Sequence, residues 1–297
     1  MTTQLRFDTG STVNATNISR TGGQPTLPNQ RLPLYLALLP LALLIYQNIL
    51  ATGGILPVLP VSEAVVAMFV ALFSLFHSFY LLGWRNTLVM FGLTAIVSWS
   101  FEQAGVATGL IYGVYHYGEA LGPKLGHVPY AIPVAWYSML YPSYVMALLL
   151  TDGSILHARL DLWSTLRQAL VSGMVMTAWD VLIDPLASGP NALSWVWEQG
   201  GEFYGVPTQN FAGWVLTAFT VILLYRLCER RFPARPLGSH TRTVVALPLI
   251  VYGLVAVQMM LRHDTPSEWV VLTAFVMGFP WLAAFSQLFR PPLIAEA

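Results

Sequence analysis

Ser62–Leu82 reads SEAVVAMFVALFSLFHSFYLL, and after Glu63 it holds no Asp, Glu, Lys or Arg. About 20 apolar residues cross the ~30 Å hydrocarbon core as a helix, which closes every backbone hydrogen bond inside the segment. Seven more stretches read the same way, near 32–52, 87–105, 130–151, 166–185, 210–228, 243–261 and 268–289. Composition agrees: 56% of the 297 residues are hydrophobic, 9% are charged and mean hydropathy is +0.61, a balance foreign to water-soluble domains. The expectation is an all-α, polytopic membrane helix bundle of about eight transmembrane helices. It forms one domain over 31–292, behind a polar disordered tail over 1–30 that lacks the apolar run of a signal peptide.

Basic residues collect in cytoplasmic loops of membrane proteins. With eight spans, twelve of the fourteen Lys and Arg fall on one side: Arg6, Arg20, Arg31, Arg85, Arg159, Arg167, Arg226, Arg230, Arg231, Arg235, Arg242 and Arg290. Lys124 and Arg262 alone fall on the other. Both termini are therefore expected in the cytoplasm of a multi-pass cell-membrane protein, with the long loops near 106–129 and 186–209 on the outer face. Seven spans would scatter the basic loops over both faces.

Three carboxylates sit near the outer ends of membrane helices, where an ionisable group is costly and points to function. Glu102 lies 27 positions before Pro129, itself 7 before Trp136; Asp180 lies 27 before Pro207, itself 7 before Trp214. This ungapped offset of 78 raises a parallel internal pseudo-repeat, related by an axis along the membrane normal. Asp180 and Asp184 share a helix face ahead of Pro185, which should end the helix. Two carboxylates that close cannot both ionise easily, so one holds a proton, as a general acid must. Glu198 and Glu202, in the loop itself, read as solvated, and Lys124 is available to pair with either. Tyr112, Tyr115, Tyr117, Tyr130, Trp195, Trp197, Phe203 and Tyr204 crowd the outer loops, either as an interfacial aromatic belt or as part of a site.

Other chemistries are poorly served. The six histidines show no i, i+4 pair, so the His clusters of membrane di-iron enzymes are missing. His77 reads as a hydrogen-bonded packing residue, whereas His116, between Tyr115 and Tyr117, reads as a site candidate. Cys228 has no partner for a disulfide. Zero net charge leaves no basic stripe for nucleic acid, and neither nucleotide-binding glycine motif occurs. The substrate should be a lipid, or something that arrives through lipid.

Glu102-Gln-Ala-Gly105, Gly113-Val-Tyr115-His-Tyr117, Leu121-Gly-Pro123, Val128-Pro129 to Ile132-Pro133 and Trp136 form one set of strings. Asp180 to Asp184-Pro185, Trp195-Val-Trp197, Tyr204-Gly-Val-Pro207 and Asn210-Phe-Ala-Gly-Trp214 form a second. Together they resemble the carotenoid-biosynthesis membrane family that contains the CruF-type carotenoid 1,2-hydratases and the haloarchaeal bisanhydrobacterioruberin hydratases. The likeness covers roughly 30–290. It implies addition of water to the terminal isopropylidene double bond of an acyclic carotenoid, of lycopene or C50 type, giving a tertiary alcohol without metal, oxygen or redox cofactor. The implied partners are the carotenoid, water and membrane lipid, with other enzymes of the carotenoid pathway alongside.

The residues suit that chemistry. Carboxylates supply acid and base, and aromatic faces steady a tertiary cation. Glu102, Asp180 and Asp184 are the catalytic candidates, with Glu102 and Asp180 dividing acid and base and Asp184 tuning them. Trp99, Tyr115, His116, Tyr117, Trp136, Trp179, Tyr204, Asn210 and Trp214 are the candidates for substrate contact. Two alternatives stay open: a membrane prenyltransferase, elongase or cyclase acting on isoprenoids, suggested by the Asp180 and Asp184 pair, and a non-catalytic carotenoid carrier or transporter.

Overall fold

The computed structural model describes residues 30–290 except 52–53, 58–62, 156–157, 191, 235, 239–240 and 263–264. Residues 1–29 of the expected tail lie outside the described residues. Eight helical passes follow in chain order. α1 (Leu32–Ile45) runs on as a π-helical segment, Tyr46–Ala51. α2 (Glu63–Leu82), α3 (Trp84–Thr108), α4 (Ala131–Asp152), α5 (Leu162–Ala187), α6 (Thr208–Arg231) and α7 (Arg242–Leu261) follow. The eighth pass joins α8 (Glu268–Thr273) to α9 (Phe279–Gln287) through a π-helical segment, Ala274–Gly278.

Seven passes are long and apolar enough to cross a membrane. The remaining pass, α3, has 25 residues and carries Thr87, Thr94, Ser98 and Glu102 as a buried stripe. Their spacing of seven, four and four keeps them on one helix face, turned away from lipid and into the bundle. Thr94 Oγ1 donates back to Met90 O of its own helix at 2.7 Å, and Glu102 reaches α4, accepting from Trp136 Nε1 at 3.0 Å.

α4 lies at the centre. Every residue from Trp136 to Leu149 is buried, and it packs on α2, α3, α5, α7 and α9. α3 packs on α6 and α5 on both α4 and α6, so α3 to α6 form the frame of the α3–α4 and α5–α6 loops. α3 stops at Gly109, whose φ of 68° is the left-handed cap that glycine adopts without strain. α5 starts at Asp161, which accepts a hydrogen bond from Ser164 N at 2.9 Å. It runs two residues past Pro185, to Ala187.

Where α4, α5 and α6 meet near Asp152, a buried ionic network fastens them. Arg226, 2% exposed, pairs with Glu229 and donates to Tyr144 Oη at 3.0 Å, Gln168 Oε1 at 2.9 Å and Arg159 O at 2.9 Å. Asp152 accepts from Arg167 at 2.7 Å, Gln168 at 2.5 Å and Arg159 N at 3.1 Å. His77 takes the packing role expected of it, with Nδ1 2.7 Å from Tyr141 Oη and Nε2 3.0 Å from Val244 O.

At the opposite end, the α3–α4 and α5–α6 loops each contribute a short strand, β1 (Tyr115–Tyr117) and β4 (Trp195–Trp197). They pair antiparallel, Tyr115 opposite Trp197, His116 opposite Val196 and Tyr117 opposite Trp195. A second hairpin joins β2 (Lys124–Leu125) to β3 (Val128–Pro129).

Candidate active site

A strand turns alternate side chains to opposite faces, and the ribbon uses that rule to aim its rings. Tyr115 and Tyr117 point inward and are buried; His116 between them points out. Trp195 and Trp197 lie across the pair, with Tyr115 and Trp197 ring centroids 4.9 Å apart and Tyr117 and Trp195 6.2 Å apart.

Beneath the ribbon lie the three acids. Glu102 Oε2 accepts from Tyr115 Oη and from Tyr117 Oη at 2.8 Å, and Oε1 accepts from Trp136 Nε1 at 3.0 Å. Burial beside the Glu102 carboxylate pushes both phenols well above their ordinary range, so they stay protonated donors. Asp184 Oδ1 accepts from Trp195 Nε1 at 2.8 Å and Trp197 Nε1 at 3.0 Å, and Oδ2 from Asn210 Nδ2 at 2.7 Å. The same Asn210 amide donates to Asp180 Oδ2 at 2.9 Å. Asp180 Oδ1 is buried and has no partner among the described residues.

Tyr112 holds this floor together. Its ring is wedged between Gly105 of α3 and Gly213 of α6, where an added Cβ would fall 2.6 Å and 2.5 Å from ring carbons. Its hydroxyl donates to Thr217 Oγ1 at 2.7 Å, and Thr217 in turn donates to Gly213 O at 2.8 Å.

Glu102 and Asp184 face one cavity of about 550 Å³, within the range of small-molecule sites. Its walls are aromatic and aliphatic. Trp136 and Trp214 stack at 4.1 Å between centroids, and Trp179 meets Trp214 edge-on at 5.9 Å. No Lys, Arg or His is among the lining residues. Trp136 and Trp214, which the 78-residue offset aligns, thus come into direct contact.

A profile of carotenoid biosynthesis proteins matches residues 61–280, the stretch that builds this cavity. The chain belongs to the carotenoid biosynthesis protein family. A bisanhydrobacterioruberin hydratase from Haloarcula japonica is 36% identical over 149 residues, which cover 50% of this chain and 47% of that protein. The chain thus spans about half the length of the curated relative it matches. No solved structure matches it.

Within this family member, the residues singled out from sequence divide into those on the cavity and those off it. Glu102, Asp184, Tyr115, Tyr117, Trp136, Trp179, Asn210 and Trp214 line it. Asp180 does not; it lies fully buried, behind Asn210. His116 faces outward on its strand and pairs with Glu198 at 2.5 Å, with both side chains about half exposed. Tyr204 adopts a left-handed φ of 49° that carries its ring to Trp269, 5.0 Å away, outside the lining. Trp99 sits off the Glu102 stripe of α3 and donates to Leu125 O at 3.2 Å. Lys124 meets neither Glu198 nor Glu202: it pairs with Glu119 at 2.9 Å and donates to Tyr117 O at 2.9 Å. Glu202 is exposed and accepts from Thr208 N at the start of α6.

Tyr112, Trp195 and Trp197, read from sequence only as outer-loop rings of a belt or a site, also line the cavity. The alternation Tyr-x-Tyr and Trp-x-Trp was the available signal, since in a short strand it puts both rings of each pair on one face.

Proposed function

We propose that this chain is a carotenoid hydratase that adds water across the terminal isopropylidene double bond of an acyclic carotenoid. The observation that carries the reading is the pair Glu102 and Asp184, held by neutral donors on one aromatic, cation-free cavity. A proton passes to C2 of the end group, a tertiary cation forms at C1, water adds there, and its surplus proton goes to the second carboxylate. One water is consumed, nothing is oxidised or reduced, and both acids are restored after one proton exchange.

The partners of each acid suggest its role. Asp184 is met by two indole N–H groups and an amide N–H, which only donate and so hold a carboxylate; this suits the base that takes the proton from water. Glu102 Oε2 is met by two hydroxyls, which either give or accept a hydrogen bond, so they tolerate it with or without its proton. That suits the acid. Asp180, away from the cavity, acts on Asp184 through Asn210. The faces of Trp136, Trp214 and Trp179 offer the cation an attractive surface.

The basic-residue asymmetry supports cytoplasmic termini, with this site at the outer membrane interface. Labelling of Ala120→Cys in a Cys228→Ser background by an impermeant thiol reagent on intact cells is the expected result. Labelling only after permeabilisation reverses the orientation.

A prenyltransferase would need cations to hold a diphosphate, and the lining offers none. Expression in a lycopene-producing bacterium separates hydratase from carrier: pigment mass spectrometry should show a gain of one water per modified end. In labelled water the new hydroxyl should carry the label. Unchanged pigment beside well-inserted protein, or label arriving only from molecular oxygen, overturns the proposal.

A further inference from the structure

The cavity is open at its side. α2 and α4 run parallel, both starting at the end that carries the ribbon. They are fastened by Ser74 Oγ donating to Ser138 O at 2.6 Å, Ser78 Oγ and Tyr137 Oη 2.6 Å apart, and His77 Nδ1 and Tyr141 Oη 2.7 Å apart. Nearer their starts, Ala67, Met68 and Ala71 of α2 and Ala131, Val134 and Ala135 of α4 line the cavity. With the buried Ile132 and Trp136 of α4 these two helices give eight lining residues, four of them alanines. Met68 and Val134 are also 50% and 40% exposed on the perimeter of the bundle, so the same residues touch the cavity and the surroundings.

Depth decides what those surroundings are. At 1.5 Å per residue, Ala67 and Ala71 lie about 6 and 12 Å from the start of α2, inside the apolar span Val65–Leu82. The gap therefore faces hydrocarbon, while the ribbon and its rings roof the cavity toward the interface. An extended C40 polyene is at least as long as the ~30 Å bilayer core. A cavity of about 550 Å³ at one end of the bundle takes its end group and leaves the rest of the chain in lipid.

Resting on the hydratase reading, we infer that the substrate end group reaches Glu102 and Asp184 sideways from lipid, between α2 and α4. Ala67, Ala71, Ala131 and Ala135 set the width of that gap and make it selective for an unringed, methyl-branched chain end. An apolar chain sliding past alanine methyls never has to enter water, and a bulkier cyclised end meets helix backbone on both sides.

Two measurements test this. The first compares hydration of a C40 acyclic carotenoid in vesicles with that of a C10 isoprenoid bearing the same isopropylidene end in detergent. In Ala71→Phe and Ala135→Phe the rate ratio of long to short substrate should fall about tenfold or more, the scale of a crowded core site. Equal loss on both substrates, or no loss, overturns the gap. The second measurement needs no turnover. Met68→Cys and Val134→Cys, each in a Cys228→Ser background, should react with a lipid-soluble maleimide several-fold more slowly once an acyclic carotenoid is bound, while Leu170→Cys on α5 should not. Equal slowing at all three, or at none, overturns it too. If wild-type protein hydrates neither substrate, the hydratase reading fails, and the labelling contrast still reports the path on its own.

Discussion

The helix bundle holds buried carboxylates at both of its ends, and the two ends treat them differently. Near Asp152, each acid meets a guanidinium: Glu229 has Arg226 and Asp152 has Arg167. Under the ribbon, Glu102, Asp180 and Asp184 meet only phenols, indoles and an amide. An ion pair fixes a carboxylate in one charge state, because protonating it strands the cation. Neutral donors leave the proton count free to change. The first arrangement joins helices; the second, on the proposed reading, moves a proton.

That contrast breaks if the acids under the ribbon prove structural. Glu102→Gln and Asp184→Asn should each cut hydration about 10²–10⁴-fold, as loss of a general acid or base does, with thermal stability close to wild type. Product formation within a few-fold of wild type at normal protein levels would show that neither moves a proton. Asp180→Asn, one amide removed from the cavity, should cost about 10-fold, less than either lining acid.

The opposite cluster should fail in the opposite way. Arg226→Met leaves Glu229 buried and unpaired, which costs about 3–5 kcal/mol. The loss should appear as reduced yield and lower melting temperature, and the surviving folded fraction should keep its specific activity. Arg226→Met with Glu229→Met should recover much of that stability. A low specific activity in well-folded Arg226→Met would tie the two ends together and end the division of labour.

Smaller changes sharpen it. Tyr117→Phe removes one of three donors to Glu102, a hydrogen bond worth about 1.5–3 kcal/mol when the acceptor is charged. Activity should fall about tenfold or more while carotenoid still co-purifies. His116→Asn breaks only an exposed pair, of a kind worth about 0–1 kcal/mol, and should change the rate less than about twofold. A larger effect would return His116 to the site.

Much of this was legible because hydropathy and the cost of buried charge act locally. The eight passes, the acids at one end of the bundle and the packing role of His77 follow from runs of residues and from single groups. Finer placement depended on partners far away in sequence. Asp180 and Asp184 share a helix face, yet only Asp184 reaches the cavity, since Asn210 from α6 stands before Asp180. His116 has the composition of a site residue, but the β1 strand gives its two neighbours the inward face. Lys124 had no local rule to choose its acid, and the β2–β3 turn delivers it to Glu119. Tyr112 could be read as one more interfacial ring until α3 and α6 showed glycines on either side of it.

The β1–β4 ribbon has a consequence for how the molecule opens and closes in time. Interhelical loops normally exchange their amide hydrogens first, because little holds them. Here the ribbon is flanked by Gly118 N donating to Ser194 O and Glu198 N to Val114 O, each at 3.0 Å, and its inward rings are bound to Glu102 and Asp184. Exchange at Tyr115–Tyr117 and Trp195–Trp197 should therefore be slow, and slow in step, since the two strands protect only one another. A substrate that stays in the membrane never requires them to part.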